Sequence, residues 1–367
     1  MTRMIDFYNQ ETERYQASPQ TEKIESFANS DPKKISWHSS TYPKAAKGRL
    51  GHYNSDLRTL SEYRPFQRQW LYYDPMFVQR VARIPRMFPT SSQRNKVLWV
   101  TGVGANMEFS CYISSEIPDL QGPAKIQCFP LKLYEPASAD DGLFATGETG
   151  YTERDGISDV GLKHFQDAYP GEQISKEDLF YYIYGLLHSP DYRTRFKNNL
   201  SKELPRIPAV KAAADFWAFS KAGRALGDLH VNYETVDPYP VVIREGDLRL
   251  ADIPDAQAFY RVEKMKFGGK GKAKDKTIVH YNPRITMTGI PLAAYDYVVN
   301  GKPALDWVVE RQCVKTDKAS GIVNDANRYA NETVGNPAYP LELFQRVITV
   351  SLETMKIVNG LPALDID

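Results

Sequence analysis

Lys264, Lys266, Lys270, Lys272, Lys274 and Lys276 fall within one short run, with Asp275 as the one acid among them. Ammonium groups at that density attract phosphate, because each contact releases counterions condensed on a nucleic acid. The flanks, "AFYRVEKMKF" and "TIVHYNPRITM", alternate as strands do, and Gly268, Gly269 and Gly271 supply a flexible turn. Residues 257–289 are therefore predicted to form a β-hairpin with a cationic tip. A lysine-rich loop can also be a solvated edge that blocks strand pairing. Six lysines against one acid exceed that need, so phosphate contact is the expectation.

A second constellation is "EYRPFQRQWLYYDP", Glu62 to Pro75, where five aromatics surround Arg64 and Arg68. Rings stack on bases and guanidiniums hold phosphates. The same residues also serve as core with a polar rim. Residues 69–73 read as a buried strand with Trp70 and Tyr72 on one face and Leu71 and Tyr73 on the other. Arg64 and Arg68 stay open between a phosphate clamp and pairing with acids inside the domain.

Other chemistry-bearing patterns are weaker. "KVLWVTGVGANMEF" places Gly102 and Gly104 after a strand, but Met107 stands where a dinucleotide fingerprint needs its third glycine, and no P-loop Lys-Ser/Thr follows. A tight loop at a sheet edge is the better reading. "NPAY", Asn336 to Tyr339, lacks the second proline of an adenine methyltransferase motif and reads as a turn opening a helix. The six histidines show no ligand spacing; His230 and Glu234 share a helical face, where polar packing outweighs metal binding. No catalytic residue and no metal site is assigned.

Bulk composition narrows the classes. Lys and Arg number 46 against 45 Asp and Glu, a net charge of +1, so any nucleic-acid surface must be a local patch. Three widely spaced cysteines support neither a disulfide framework nor a zinc site and suit a reducing cytoplasm. There is no 18-residue apolar run and no apolar signal-peptide core, so no membrane role is expected.

The elements that must position these groups follow from periodicity. Residues 4–16 read as a helix on Ile5, Tyr8 and Tyr15, followed by a loop-rich connector to residue 60 with a short strand at "KISW". Residues 61–156 form a β-rich lobe of short strands between prolines. "ISKEDLFYYIYGLLHSP" is a helix with a Ser175–Asp178 capping box, and "ADFWAFSKAGRALGDLHVNYE" is a second. Leu341, Phe344, Ile348, Leu352 and Met355 make the stripe of a long C-terminal helix, with Gly360 at its C′ position. The fold class is α+β: a β-rich lobe with functional loops, then a helical and mixed lobe over 157–367 carrying the hairpin and the C-terminal helix.

Taken together, "RMIDFYNQETERY", "YRPFQRQWLYYD", "TGVG" with "IPDL", "QCFPLKLY", "ISKEDLFYYIYGLLHSPDYR", "LPRIP", "DFWAFSKAGRALGDLHVNYE", "ITMTGIPLAAYDYVVNGKPALDWVVERQCVKTDKASGIVND" and "ITVSLETMKIVNGLP" span nearly the whole chain. In this order they resemble the C-terminal target recognition (specificity) region of Type ISP restriction-modification enzymes and related helicase-family proteins. The resemblance implies a module that reads duplex DNA beside an upstream methyltransferase and helicase of the same polypeptide. Residues 1–60 would be the helical tail of the methyltransferase-like part plus a connector. ATP, magnesium and S-adenosylmethionine would be used only by those upstream parts, with no cofactor bound by this chain, which reads as the recognition end without the catalytic engines.

The implied phosphate contacts are the six hairpin lysines with Arg64, Arg68, Arg80, Arg83 and Arg86. The base-reading candidates are Gln93, Arg94, Asn95, Asn106 and Gln127, on loops flanking the Pro/Gly-rich strands. The alternative is a non-catalytic scaffold that docks the motor and methyltransferase through the tyrosine-rich helices of residues 175–232 without reading bases.

Overall fold

The structure, a computed structural model, describes residues 1–79, 81–105, 107–119, 126–137, 150–244, 253–271 and 273–366. Helix α1 (Thr2–Gln16) buries Ile5, Tyr8, Thr12 and Tyr15 along one stripe. That stripe seats on one-turn helices at Ile24–Phe27 and Tyr42–Ala46. Tyr8 meets Phe77 edge-on at 5.3 Å, and its hydroxyl donates to the Arg49 carbonyl at 3.0 Å. The strand expected at Lys34–Trp37 does not form. Ile35 and Trp37 are drawn into this aromatic cluster instead, with Trp37 stacked on Tyr42 at 4.9 Å.

Strand β1 (Arg58–Arg64) pairs antiparallel with β2 (Gln67–Tyr72). Phe66, at φ 60°, turns between them and is fully buried against Tyr112 and Tyr233. β3 (Val97–Val100) lies between β4 (Cys111–Ser114) and a later strand, and the short β5 (Ile117–Pro118) runs parallel to β1. β2 is therefore the edge of a β2-β1-β5 sheet. This corrects the expected buried strand at 69–73: Tyr73 is buried, but Trp70 is 48% exposed because no layer covers that face of the edge strand. Arg58 stacks on the Trp70 ring at 4.8 Å, and Trp70 Nε1 donates to Thr333 Oγ1 at 2.9 Å.

β6 (Gln127–Pro130) completes a β4-β3-β6 sheet, and β7 (Lys132–Pro136) forms a hairpin with β8 (Tyr151–Asp155). Alternate residues of β3 serve opposite cores. Val97 and Trp99 join the cluster around the C-terminal helix, while Leu98 and Val100 join the helical cluster. β4 divides likewise, Tyr112 to the first and Cys111 and Ile113 to the second. Both larger cores draw residues from either side of position 156. Gly102 and Gly104 lie between antiparallel strands, and among the described residues no helix follows them as a dinucleotide site requires.

Helix α2 (Asp159–Ala168) leads to α3 (Lys176–His188) and α4 (Ala213–Val231). The capping box on α3 is present as read: Ser175 Oγ accepts from Asp178 N and Asp178 Oδ2 accepts from Ser175 N, both at 3.1 Å. Tyr181, Tyr182, Tyr184 and Tyr192 are all fully buried, and Tyr182 and Tyr192 donate to the Pro208 and Arg206 carbonyls. A side chain of this size contributes on the order of 1.5–3 kcal/mol by burial.

β9 (Val242–Arg244), β10 (Lys266–Lys270), β11 (Ala273–His280) and β12 (Thr286–Thr288) form a sheet in the order β10-β11-β12-β9. The hairpin is thus shorter than the 257–289 reading. Ala256–Tyr260 is a helical turn capped by Asp255, whose Oδ1 accepts from Ala258 N, and Asn282 turns the chain before β12 by accepting from Arg284 N and Ile285 N. α5 (Ala304–Arg311), β13 (Val314–Thr316), β14 (Val323–Asp325) and α6 (Tyr339–Asn359) follow. α6 buries Leu341, Phe344 and Ile348 as expected; Gly360 ends it at φ −90° rather than in the left-handed region. No helix among the described residues is long and apolar enough to cross a membrane.

α3 and α4 touch backbone to backbone. A Cβ on Gly223 would stand 1.8 Å from the Tyr181 carbonyl oxygen, and one on Gly185 2.2 Å from that of Phe219. Helix propensity alone predicts that Gly223→Ala stabilises by about 1 kcal/mol. The contact predicts the opposite sign, a loss of about 1–3 kcal/mol from overpacking. Urea unfolding of the variant decides between them.

Candidate nucleic-acid interface

The lysine hairpin owes its shape to its glycines and to a bulge. A Cβ on Gly269, which sits at φ +84°, would lie 2.1 Å from the Ala273 carbonyl oxygen, so only glycine lets the two strands approach there. Pairing jumps from Phe267↔Val279 to Gly268↔Asp275, leaving Lys276, Thr277 and Ile278 as extra residues on β11. The bulge turns Lys276 inward: it donates to both Asp306 oxygens at 3.0 and 3.1 Å and lies 4.6 Å over the Tyr295 ring. Asp275 accepts from Thr277 N and Oγ1, bonds that hold its carboxyl below the usual range.

Between β10 on one side and α5 with β13 on the other lies an open cleft of about 640 Å³. An isolated bridge, Lys264↔Cys313, brings the two walls together. Every acid lining the cleft is neutralised: Asp306 by Lys276, Glu310 by Arg311 and Lys302, and Glu263 by Arg261. Lys264, Lys266, Lys274 and Lys315 line the same cleft, are exposed, and make no ion pair among the described residues. The cleft therefore carries a local surplus of positive charge on a chain of net charge +1. Lys270 is exposed at the tip, while Lys272 lies outside the described residues. Lys315 had no signal in its own segment; the bridge to Cys313 places it.

The arginines are placed otherwise. Arg64 pairs with Asp119 and lies 4.1 Å over the Tyr63 ring. Arg68 donates to Glu234 Oε2 at 2.6 Å and to the Val231 carbonyl at 2.9 Å, and its Nε lies 3.5 Å from Glu62 Oε2. Glu234 also accepts from Tyr339 OH, which ties the "NPAY" tyrosine into this network rather than leaving it to stack on a base. Both guanidiniums thus pair with acids of the chain itself. Arg86 pairs with Glu135 at 2.5 Å; Arg83 is exposed without an ion pair among the described residues; Arg80 lies outside them.

Of the base-reading candidates, Asn95 is buried, and its amide is spent on the Met87 and Lys132 carbonyls at 2.9 and 2.7 Å. Gln93 donates to Tyr134 OH at 2.9 Å; Arg94 is half-exposed and pairs with Glu116; Gln127 is half-buried on β6. Asn106 lies outside the described residues. His230 is buried, with Tyr184 OH and Thr354 Oγ1 2.6 and 2.8 Å from its ring nitrogens. Burial and Arg193 push His188 down to about 3, and burial raises the Cys111 thiol beside it, so this pair is neutral packing rather than an activated nucleophile. Among the described residues no group of three His, Cys, Asp or Glu side chains is placed to hold a metal.

Residues 1–343 match the family model described as the Type ISP C-terminal specificity domain. Comparison with curated protein sequences gave no match. Among solved structures, the ATP-dependent Type ISP restriction-modification enzyme LlaBIII bound to DNA is similar at 30% identity and a TM-score of 0.82, over 100% of this chain and 22% of that one. A nuclease-deletion mutant of the Type ISP enzyme LlaGI in complex with a DNA substrate mimic is similar at 32% identity and 0.80, over 100% and 26%. The DrdV–DNA complex follows at 28% and 0.80, over 98% and 33%. The chain thus spans about a fifth to a third of the length of these relatives.

Burial pushes the Glu62 carboxyl up to about 7, against the pull of Arg68 and with Glu234 and Glu116 adding to it. In the unfolded chain it ionises near its ordinary 4.5. As pH rises between those values the unfolded state gives up its proton first, so this group's stabilising contribution falls through that window and levels off above it. Glu62→Gln is expected to flatten the pH dependence of stability from about 4.5 to about 7, by on the order of 3 kcal/mol, measured by urea unfolding across pH. Arg68→Ala leaves the buried Glu62 and the half-buried Glu234 without their cation and is expected to cost about 3–5 kcal/mol, read as a lowered Tm.

Proposed function

The chain belongs to the Type ISP C-terminal specificity domain family, and on that premise we propose that it is the duplex-DNA target recognition module of a single-chain restriction-modification protein. The observation that carries the reading is the lysine cleft, where every lining acid is ion-paired and four exposed lysines make no ion pair among the described residues. Such a surface neutralises phosphates and fixes register without reading sequence. Arg83 and Lys270 would extend the same role. Base edges would be read by Gln93, Arg94 and Gln127, residue types that bond bases in the major groove. Arg94 would exchange Glu116 for its base, while Asn95, Arg64 and Arg68 would hold the framework.

In this reading the chain performs no catalysis. The methyltransferase and helicase of the same polypeptide would be its partners and would use S-adenosylmethionine, ATP and magnesium. The scaffold alternative rested on the tyrosines of residues 175–232, and the four on α3 and just after it are inside the core, which leaves them no docking role.

The test is selection from a random duplex pool, followed by titration of the enriched sequence across salt. The combined substitution Lys264→Gln, Lys266→Gln, Lys274→Gln and Lys315→Gln is expected to flatten the log affinity–log salt slope by up to about 0.9 per lysine, at unchanged Tm. An affinity that ignores salt and a pool that enriches no sequence would withdraw the proposal.

A further inference from the structure

A second cleft, of about 230 Å³, lies between the edge strand β2 and the segment from Arg311 through β14 to Thr333. Its walls carry Gln67, Gln69, Trp70, Arg311, Asn324 and Tyr329. Two of these bring polar atoms that the fold leaves unmatched. Gln67 is 8% exposed, and among the described residues its Oε1 is a buried acceptor without a donor and Arg311 Nε a buried donor without an acceptor. The rest of the Arg311 guanidinium is engaged, with Nη2 at 2.9 Å from Glu310 Oε1. Buried polar atoms in a folded protein are nearly always paired, and leaving one unpaired is costly. An orphan acceptor and an orphan donor on two residues that line one small cleft together match a ligand edge that offers both a donor and an acceptor.

The ring walls and the size narrow the ligand further. Trp70 is half-exposed and its ring plane is held by the bond from Nε1 to Thr333 Oγ1; Tyr329 lies 5.6 Å from Tyr339. The volume falls below the roughly 300–1,000 Å³ typical of drug-sized pockets, which suits one planar heterocycle. Gln, Asn and Arg are the side chains that bond base edges, and Trp and Tyr are those that stack on base faces.

We infer that this cleft, distinct from the lysine cleft, accepts a single unpaired nucleobase, with the edge of the base bonding Gln67 and Arg311 and its face against the aromatic wall. The inference rests on the DNA reading above for the source of the base, and on the cleft alone for its chemistry.

Deoxyadenosine, deoxycytidine and thymidine carry no phosphate and so do not report the lysine cleft. Titrating each into the full chain should give a saturable shift of the Trp70 indole N–H resonance, assigned with Trp70→Phe, for at least one of them. Gln67→Leu should weaken that binding roughly ten-fold or more, by the ordinary cost of a lost buried hydrogen bond. Arg311→Met should do the same and stands in if the Gln67 variant does not fold. A duplex with one unpaired base should bind several-fold more tightly than a fully paired one, a preference lost in Gln67→Leu while paired-duplex affinity stays unchanged. Absence of any saturable shift, or a shift indifferent to both substitutions, overturns the inference even where duplex binding is intact. Saturable nucleoside binding in a chain that fails to bind duplex overturns the DNA reading and leaves the ligand class of this cleft standing.

Discussion

Arg68 is the residue on which separate parts of this structure converge. It sits on the edge strand β2, reaches the carboxylates of Glu62 on β1 and Glu234 beyond α4, and takes the carbonyl at the end of α4. Glu234 passes the connection to Tyr339 at the start of α6. Removing such charges from water is expensive, and a buried ion pair recovers that cost only through good geometry and further hydrogen bonds. Here one guanidinium serves the buried carboxylate of Glu62 and the half-buried one of Glu234, and a third acid, Glu116, leans on the half-exposed Arg94. Burial raises the Glu62 carboxyl more than Arg68 lowers it, and the neighbouring Glu234 and Glu116 add to the rise. The network suits the positioning of a sheet against two helices better than it suits binding a ligand's phosphate.

The two kinds of cation in the chain have accordingly been put to different uses. The planar guanidiniums of Arg64, Arg68 and Arg86 are matched to carboxylates, where their fork geometry gains most. The ammoniums of Lys264, Lys266, Lys274 and Lys315 stay exposed and make no ion pair among the described residues. A net charge near zero hides this division, because the acids that line the cleft are already paired with other cations.

Periodic elements were readable from sequence. The stripe of α1, the capping box of α3, the stripe of α6 and the glycine-rich hairpin tip each depend on residues within one segment, and each formed close to its expected place. Features set by distant neighbours were not. "KISW" has strand composition but no strand edge beside it, and Trp70 is exposed because β2 turned out to be an edge. The same holds at the interface: six lysines in a run announced the hairpin, but Lys315 enters only through the Lys264↔Cys313 bridge, and Lys276 leaves through a bulge that no local pattern marks. Burial decided Asn95 in the same way, since nothing around it in sequence foretells that the Lys132 carbonyl will take its amide.

β3 acts as a party wall. Its odd-numbered residues furnish one core and its even-numbered residues the other, so the two interiors share a backbone but no side chains along it. A mispacked residue on one side is shielded from the other by the thickness of a single strand. Insertions in the turns beyond its ends leave the pairing with β4 and β6 in phase, whereas slipping the strand by one position would exchange the furnishings of both rooms at once. Variation is thereby channelled out of the wall and into the loops at its margins, where the surface can change without the interior noticing.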